Sequence, residues 1–161
     1  QTTHASFKIC STRCTSSPMA SSLAPCQSML ADGQPEGKKK TMKQHFGVSH
    51  VPLSPAVRAG DFVFVSGQVP VGDDGKIVEG GIGPQTAKVL ENIEKVLNLA
   101  GCTLSDVVKT TAWLKHAEDF SEFNAAYGAV FTKDMPARST AESRLMIDIR
   151  VEIEAIAYRP L

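Results

Sequence analysis

Arg150-Val-Glu-Ile-Glu-Ala-Ile-Ala157 is the stretch on which the fold turns. Side chains alternate across a strand, so Val151, Ile153, Ala155 and Ala157 share one face. Arg150, Glu152, Glu154 and Ile156 share the other. One face is fit for a core and the other carries charge. That is the pattern of a sheet covered by helices on one side only. The preceding stretch, Arg138–Leu145, alternates too: Ser139, Ala141 and Ser143 are small enough to sit beneath a helix, and Arg138, Thr140, Glu142 and Arg144 face away from it. The spacing predicts two strands, Arg138–Leu145 and Ile149–Tyr158, joined by a short link. The ionisable face of such a sheet is either solvated or meets another subunit.

Working outward, Asp106–Lys115 reads as a strand, and Ala117–Thr132 as a helix with Phe120, Phe123, Ala126, Tyr127 and Val130 on one face. Pro84–Ala100 repeats Ala87, Leu90, Ile93, Val96, Leu97 and Ala100 at three- and four-residue steps. Pro84 suits a first helical position and Gly101 the position after the last turn, so this is an amphipathic helix. Asp61–Val65 is β-branched and aromatic, a strand ended by Ser66-Gly67. Gln68–Val71 and Lys76–Val78 flank Gly72-Asp73-Asp74-Gly75, a hairpin signal. The order βββ-α-β-α-ββ predicts an α/β (α+β) domain: one mixed sheet with two helices on one face.

The rest of the chain bounds the function. Its 161 residues and zero formal charge fit one domain with a tail and give no global field for nucleic acid or an anionic membrane. Residues 1–41 hold five basic against two acidic groups, a net +3. Residues 42–161 hold twelve against fifteen, a net −3. We read 1–41 as a disordered Ser/Thr-rich tail, faintly similar to an organelle transit segment, and 42–161 as the domain. Without a transit role the chain is expected in the cytoplasm. Cys10, Cys14 and Cys26 lie in the tail without zinc-site spacing, and Lys38–Lys40 read as a solvated charge run. Cys102 stands alone past a helix end and reads as inert. His45, His50 and His116 are scattered, so no metal is expected. Trp113 reads as core or interface. Gly80-Gly81-Ile82-Gly83 precedes a helix but lacks the lysine of a phosphate loop, and reads as a helix-capping loop.

Ser66-Gly67-Gln68-Val69-Pro70, Val107-Val108-Lys109-Thr110-Thr111, Phe123-Asn124-Ala125-Ala126-Tyr127, and above all Pro136-Ala137-Arg138-Ser139-Thr140 followed by Val151-Glu152-Ile153-Glu154-Ala155 resemble the RidA (YjgF-type) deaminases. The resemblance covers residues 48–158. It implies a chorismate-mutase-like fold, a homotrimer with clefts between subunits, and no cofactor. It implies hydrolysis of enamines and imines, such as 2-aminoacrylate and 2-iminopropanoate, to 2-keto acids and ammonia. By resemblance the catalytic residues are Arg138 and Glu152. Ser66, Gly67, Thr140, Asn124 and Leu53 bind substrate, with Leu53 where many members carry a tyrosine.

The chemistry agrees. A carboxylate beside a C=N calls for a planar charged fork, which Arg138 offers. Water aimed at the imine carbon calls for a carboxylate to take its proton. The bland alternatives are a surface arginine, and Glu152 paired with Arg144 across a hairpin. Glu154 shares the face of Glu152, and the choice between them rests on the resemblance. Two other functions stand beside deamination. One is a non-catalytic module binding small carboxylates. The other is an endoribonuclease or translation inhibitor, disfavoured by the domain's acidity. The expected partners are therefore a small 2-imino or 2-enamino acid and further copies of the chain, with no nucleic acid and no membrane.

Overall fold

The computed structural model describes residues 43–161. The expected tail at 1–41, with Cys10, Cys14, Cys26 and Lys38–Lys40, lies outside the described residues. Six strands form one sheet: β1 (Gln44–Phe46), β2 (Ala56–Ala59), β3 (Phe62–Gln68), β4 (Val107–Leu114), β5 (Ala137–Glu142) and β6 (Val151–Tyr158). Two helices, α1 (Ile82–Leu99) and α2 (Phe120–Val130), interrupt them. In space the strands run β1-β2-β3-β6-β4-β5. Only β4 and β5 pair parallel; the other pairs are antiparallel.

The alternation in β6 survives intact. Val151, Ile153, Ala155 and Ala157 are buried, while Glu152, Glu154 and Ile156 are half-exposed on the open face. Val63 and Val65 of β3 and Ala112 and Leu114 of β4 join them beneath the helices. From α1 come Val89, Leu90, Ile93 and Leu97, and from α2 Phe123 and Tyr127. Burying a side chain of this size contributes about 1.5–3 kcal/mol, so this single cluster holds the two helices to the sheet.

Several expectations give way. The predicted hairpin at Gln68–Val71 and Lys76–Val78 keeps only an isolated bridge, Val71 to Ile77. The amide of Asn92 instead donates to the carbonyls of Val69 and Val71, both at 3.0 Å, and ties this segment to α1. The first three strands are β1, β2 and β3, so the expected order of elements holds with different members. Helix α1 starts two residues early, which makes Pro84 its third residue. Gly101 follows its end at φ 71°, a backbone conformation that glycine adopts without strain. Ala87 is exposed, and Thr86 and Val89 take its place on the buried face. The second helix is shorter than predicted, with a 3-10 turn at Ala117–Asp119 ahead of it.

The larger correction concerns β5. It does not form a hairpin with β6. Both flank β4, β5 on one edge and β6 on the other. Residues 143–150 pass around the end of β4, where Ser143 N donates to Leu114 O at 2.8 Å and Lys115 N to Arg150 O at 2.9 Å. The faces of β5 are also reversed. Arg138 stands opposite Thr110 and Thr140 opposite Ala112, both on the helix-covered side of β4. Ser139 falls on the open face, where Lys109 Nζ donates to its hydroxyl at 2.6 Å. Small size suggested burial for the serines, but an arginine stem and its flat head can lie under an aromatic helix.

Candidate active site

Arg138 is held by an aromatic helix face and one amide. Helix α2 presents Phe120, Phe123 and Tyr127 at steps of three and four, so their rings share one face. The Arg138 guanidinium carbon lies 5.9, 5.1 and 4.6 Å from their ring centroids. Those distances fall within the range of cation–π attraction. Asn124 comes from the same turn of helix, and its Oδ1 accepts a 2.6 Å bond from Arg138 Nη2. Tyr127 is fixed in turn by a 2.8 Å bond between its hydroxyl and that of Thr110, both buried. Burial pushes the Tyr127 phenol up, against the opposing pull of the Thr110 bond and the Arg138 charge. No carboxylate among the described residues forms an ion pair with Arg138. A hollow of about 360 Å³ opens beside it, lined by Asn124, Tyr127, Gly128, Met135 and Pro136.

Glu152 occupies a different setting. It stands opposite Trp113 on the open face of the sheet. Strand β3 bulges next to it: Val65 pairs with Ala155 and Gln68 with Ile153, leaving Ser66 and Gly67 against Glu154. The bulge turns Gly67 toward Glu152, and a Cβ on Gly67 would collide with the Glu152 carboxylate. The glycine lets the Glu152 side chain lie directly against the bulge; any other residue would push that carboxylate aside, and no left-handed backbone angle is involved. Ser66 pins the bulge from behind, its hydroxyl donating to Ser54 O at 2.7 Å and its amide to Pro55 O at 3.0 Å. Those bonds fix the segment bearing Leu53. Burial, and then the like charge of Glu154, push the Glu152 carboxyl above the usual range for a glutamate. Glu152 makes no hydrogen bond or ion pair with any described residue. Arg144 lines a 180 Å³ hollow with Glu152, Trp113, Ser143, Leu145 and Met146, without an ion pair between the two.

Two groups therefore emerge from the expected site. Arg138 and Asn124 sit together on the helix-covered side at the β5 edge, with Thr140 two residues along the same face. Glu152, Gly67, Ser66 and Leu53 gather on and beside the open face around the β3 bulge. The aromatic shelf of Phe120, Phe123 and Tyr127 was missed by sequence reasoning as part of the site. Its helical spacing was visible but assigned wholly to the core. The glycine loop before α1 holds no free anion cradle at Gly83, whose amide donates to Glu122 Oε1 at 3.3 Å. Cys102 is buried, with Arg58 Nη2 3.6 Å from its sulfur.

A mixed sheet of this order with both helices on one side defines the class of the protein, and comparison with known proteins gives the family. The profile of the family described as Endoribonuclease L-PSP matches residues 44–159. A RutC family protein of Pyrococcus horikoshii is 47% identical over 110 residues, 67% of this chain and 87% of its own. The 2-iminobutanoate/2-iminopropanoate deaminase of Salmonella typhimurium is 40% identical over 112 residues, 67% of this chain and 88% of its own. Among solved structures, the YjgF gene product from E. coli superposes with a TM-score of 0.69 at 34% identity, covering 72% of this chain and 98% of that one. E. coli TdcF with bound serine gives 0.68 at 31%, covering 72% and 98%. The chain belongs to the YjgF/RidA family.

Proposed function

We propose that this chain hydrolyses 2-imino and 2-enamino acids to 2-keto acids and ammonia, in a homotrimer whose subunits complete one another's sites. The observation that carries this is a matched pair of uncompensated charges: Arg138 without a carboxylate, and Glu152 without a cation. Leaving a half-buried charge unpaired costs stability, so each is best understood as awaiting a ligand. The names of relatives near 40% identity support the reaction, as does a related structure described with bound serine, a small amino acid.

In this reading the substrate carboxylate docks on the free edge of Arg138, while Asn124 and the aromatic shelf hold the guanidinium plane still. Water adds to the carbon of the protonated imine as Glu152 takes one of its protons, giving a carbinolamine. Glu152 returns that proton to nitrogen, the C–N bond breaks and ammonia leaves, while the hydroxyl gives its proton to the re-ionised Glu152 as it becomes the ketone; Glu152 then releases the proton to solvent, where it ends on ammonia. Enamines enter after protonation at C3. Backbone groups at Ser66-Gly67 and Thr140 supply partners for the imine nitrogen. No electrons change hands. The raised carboxyl of Glu152 makes it a stronger base than an ordinary glutamate once ionised. Within one chain Arg138 and Glu152 lie on opposite faces of the sheet, and a three-carbon substrate cannot reach both. A neighbouring copy laid on the open face brings its β5 edge, and its arginine, to Glu152. Exposed Phe62, Phe64 and Tyr158 on that face give it apolar surface to bury.

The test is turnover of 2-iminopropanoate generated in place by an amino-acid oxidase, followed by ammonia and pyruvate release. Acceleration that is lost in Arg138→Ala supports the reading. Binding of 2-keto acids without acceleration points to the carboxylate-binding module. RNA cleavage with an unchanged hydrolysis rate points to the nuclease.

A further inference from the structure

The open face carries a second arginine that the mechanism above leaves idle. Arg144 lines the hollow of about 180 Å³ together with Glu152, Trp113, Ser143, Leu145 and Met146. Trp113 stands opposite Glu152 in the β4–β6 register, so the hollow opens at the proposed base. At the share of liquid volume that one water occupies, the space holds about six waters, enough for a short polar arm.

An exposed arginine is by itself commonplace. What sets Arg144 apart is that the acids nearest to it in sequence are engaged elsewhere. The link that bears it is stapled at both ends to the end of β4, Ser143 N donating to Leu114 O at 2.8 Å and Lys115 N to Arg150 O at 2.9 Å. Asp148, the one acid within that link, is held by Lys115 Nζ at 2.6 Å. Glu142 lies on the helix-covered side, in a hollow with Phe120 and Thr140. Arg144 forms no hydrogen bond or ion pair with any described residue. Its guanidinium therefore shares a concavity with Glu152 without neutralising it.

We infer that Arg144 receives a second carboxylate, carried on the substrate's side chain, so that the chain favours imines of dicarboxylic amino acids such as aspartate and glutamate. The inference rests on the deaminase reading and names the substrate class of that same site. Charge decides it. In that reading the completed site sets two guanidiniums, Arg144 and the Arg138 of a neighbouring copy, against one carboxylate, Glu152. The protonated imine of alanine brings one positive and one negative charge and leaves Arg144 unmatched. A protonated dicarboxylic imine brings one positive and two negative charges, and the site closes neutral. Charges withdrawn from water are stable only when paired. Beyond the hollow the same face carries Glu154 and Lys109, which balance each other in charge. The planar fork of an arginine matches a carboxylate in shape as well as in charge.

The experiment compares kcat/KM for imines made in place by amino-acid oxidases from alanine, aspartate and glutamate, in the full chain and in its Arg144→Ala and Arg144→Lys variants. Position 144 is exposed, so the fold tolerates both changes. The expected result is a dicarboxylic-to-alanine ratio of about ten or more in the full chain, the scale of one charged hydrogen-bonded contact. That ratio falls at least about tenfold in Arg144→Ala and recovers in part in Arg144→Lys. Dicarboxylic imines turned over no faster than the alanine imine, or a ratio untouched by Arg144→Ala, overturn the inference while leaving the deaminase reading in place. Acceleration of no imine at all overturns the deaminase reading, and calorimetry then decides the role of Arg144. Binding of 2-oxoglutarate tighter than that of pyruvate, with the difference lost in Arg144→Ala, upholds the second carboxylate site; equal binding of the two overturns it.

Discussion

Arg138 and Glu152 are treated in opposite ways by the same sheet. The arginine is gripped: three rings beneath it, an amide beside it, and a second-layer bond from Thr110 to the nearest ring. The glutamate is gripped by nothing. It is given a glycine to lie against and an acidic neighbour to raise its proton affinity. In the proposed deaminase the difference follows from what each charge would do. A group that orients a ligand gains from rigidity, because the ordering is completed before binding. A group that takes up and gives back a proton gains from an adjustable affinity, which a fixed ion pair would destroy.

The comparison is broken most severely by removing the gripped charge. Arg138→Ala should lower kcat/KM on 2-imino acids about a thousandfold, the scale of losing one side of a close charge pair. Arg138→Lys keeps the charge without the fork and should recover only part of it. Glu152→Gln should cost about a hundredfold in kcat while 2-keto acid affinity, read by calorimetry, persists; Glu154→Gln should cost far less. Refolding the Arg138→Ala and Glu152→Gln chains together sharpens the comparison. If each site draws one residue from each of two copies, random mixing restores about a quarter of the sites in a closed ring. A mixture as inactive as its parents places both residues in one subunit.

Smaller effects separate grip from tuning. Tyr127→Leu removes the nearest ring and should raise KM about tenfold with kcat little changed, the scale of a partly desolvated cation–π contact. Tyr127→Phe keeps the ring, loses the Thr110 bond, and should rescue most of that. The smallest effect concerns stability. Because the folded state raises the Glu152 carboxyl, the native protein binds its proton more tightly than the unfolded chain does. That contribution is present below the unfolded value and is lost as pH rises through the folded one. Glu152→Gln should therefore melt slightly higher than wild type at pH 7 and show no advantage at pH 4. A glutamine variant less stable than wild type at pH 7 would show that the carboxylate is held after all.

The sequence disclosed these two residues more readily than their relation. The β6 alternation is written in Val151, Ile153, Ala155 and Ala157, and the burial of α1 in Leu90, Ile93 and Leu97, because period alone decides such features. The inward turn of Arg138 is not written in β5. Ser139, Ala141 and Ser143 are small on one side and the charges lie on the other, so the pattern suggests the reverse face. What decides it is the parallel register with β4, a long-range pairing, together with the rings of a helix that intervenes in sequence. The short link at 143–150 likewise implied a hairpin. Only the tertiary structure shows it passing around the end of a third strand. The bulge at Ser66-Gly67 read as a strand end because it adds one residue without changing composition.

The order β1-β2-β3-β6-β4-β5 has a consequence for how the protein is made. The strand at the centre of the sheet is the last of the six to leave the ribosome. Until it emerges, strand pairing can form only in two pieces, a three-stranded antiparallel ribbon and the parallel β4-β5 pair, with the packing of α1 on α2 as their link. Each exposes to water the edge that β6 will join. Release of the final strand welds the halves and delivers Glu152 to the bulge in the same event. Translation that stops before residue 151 leaves two unpaired edges prone to sticking to other chains.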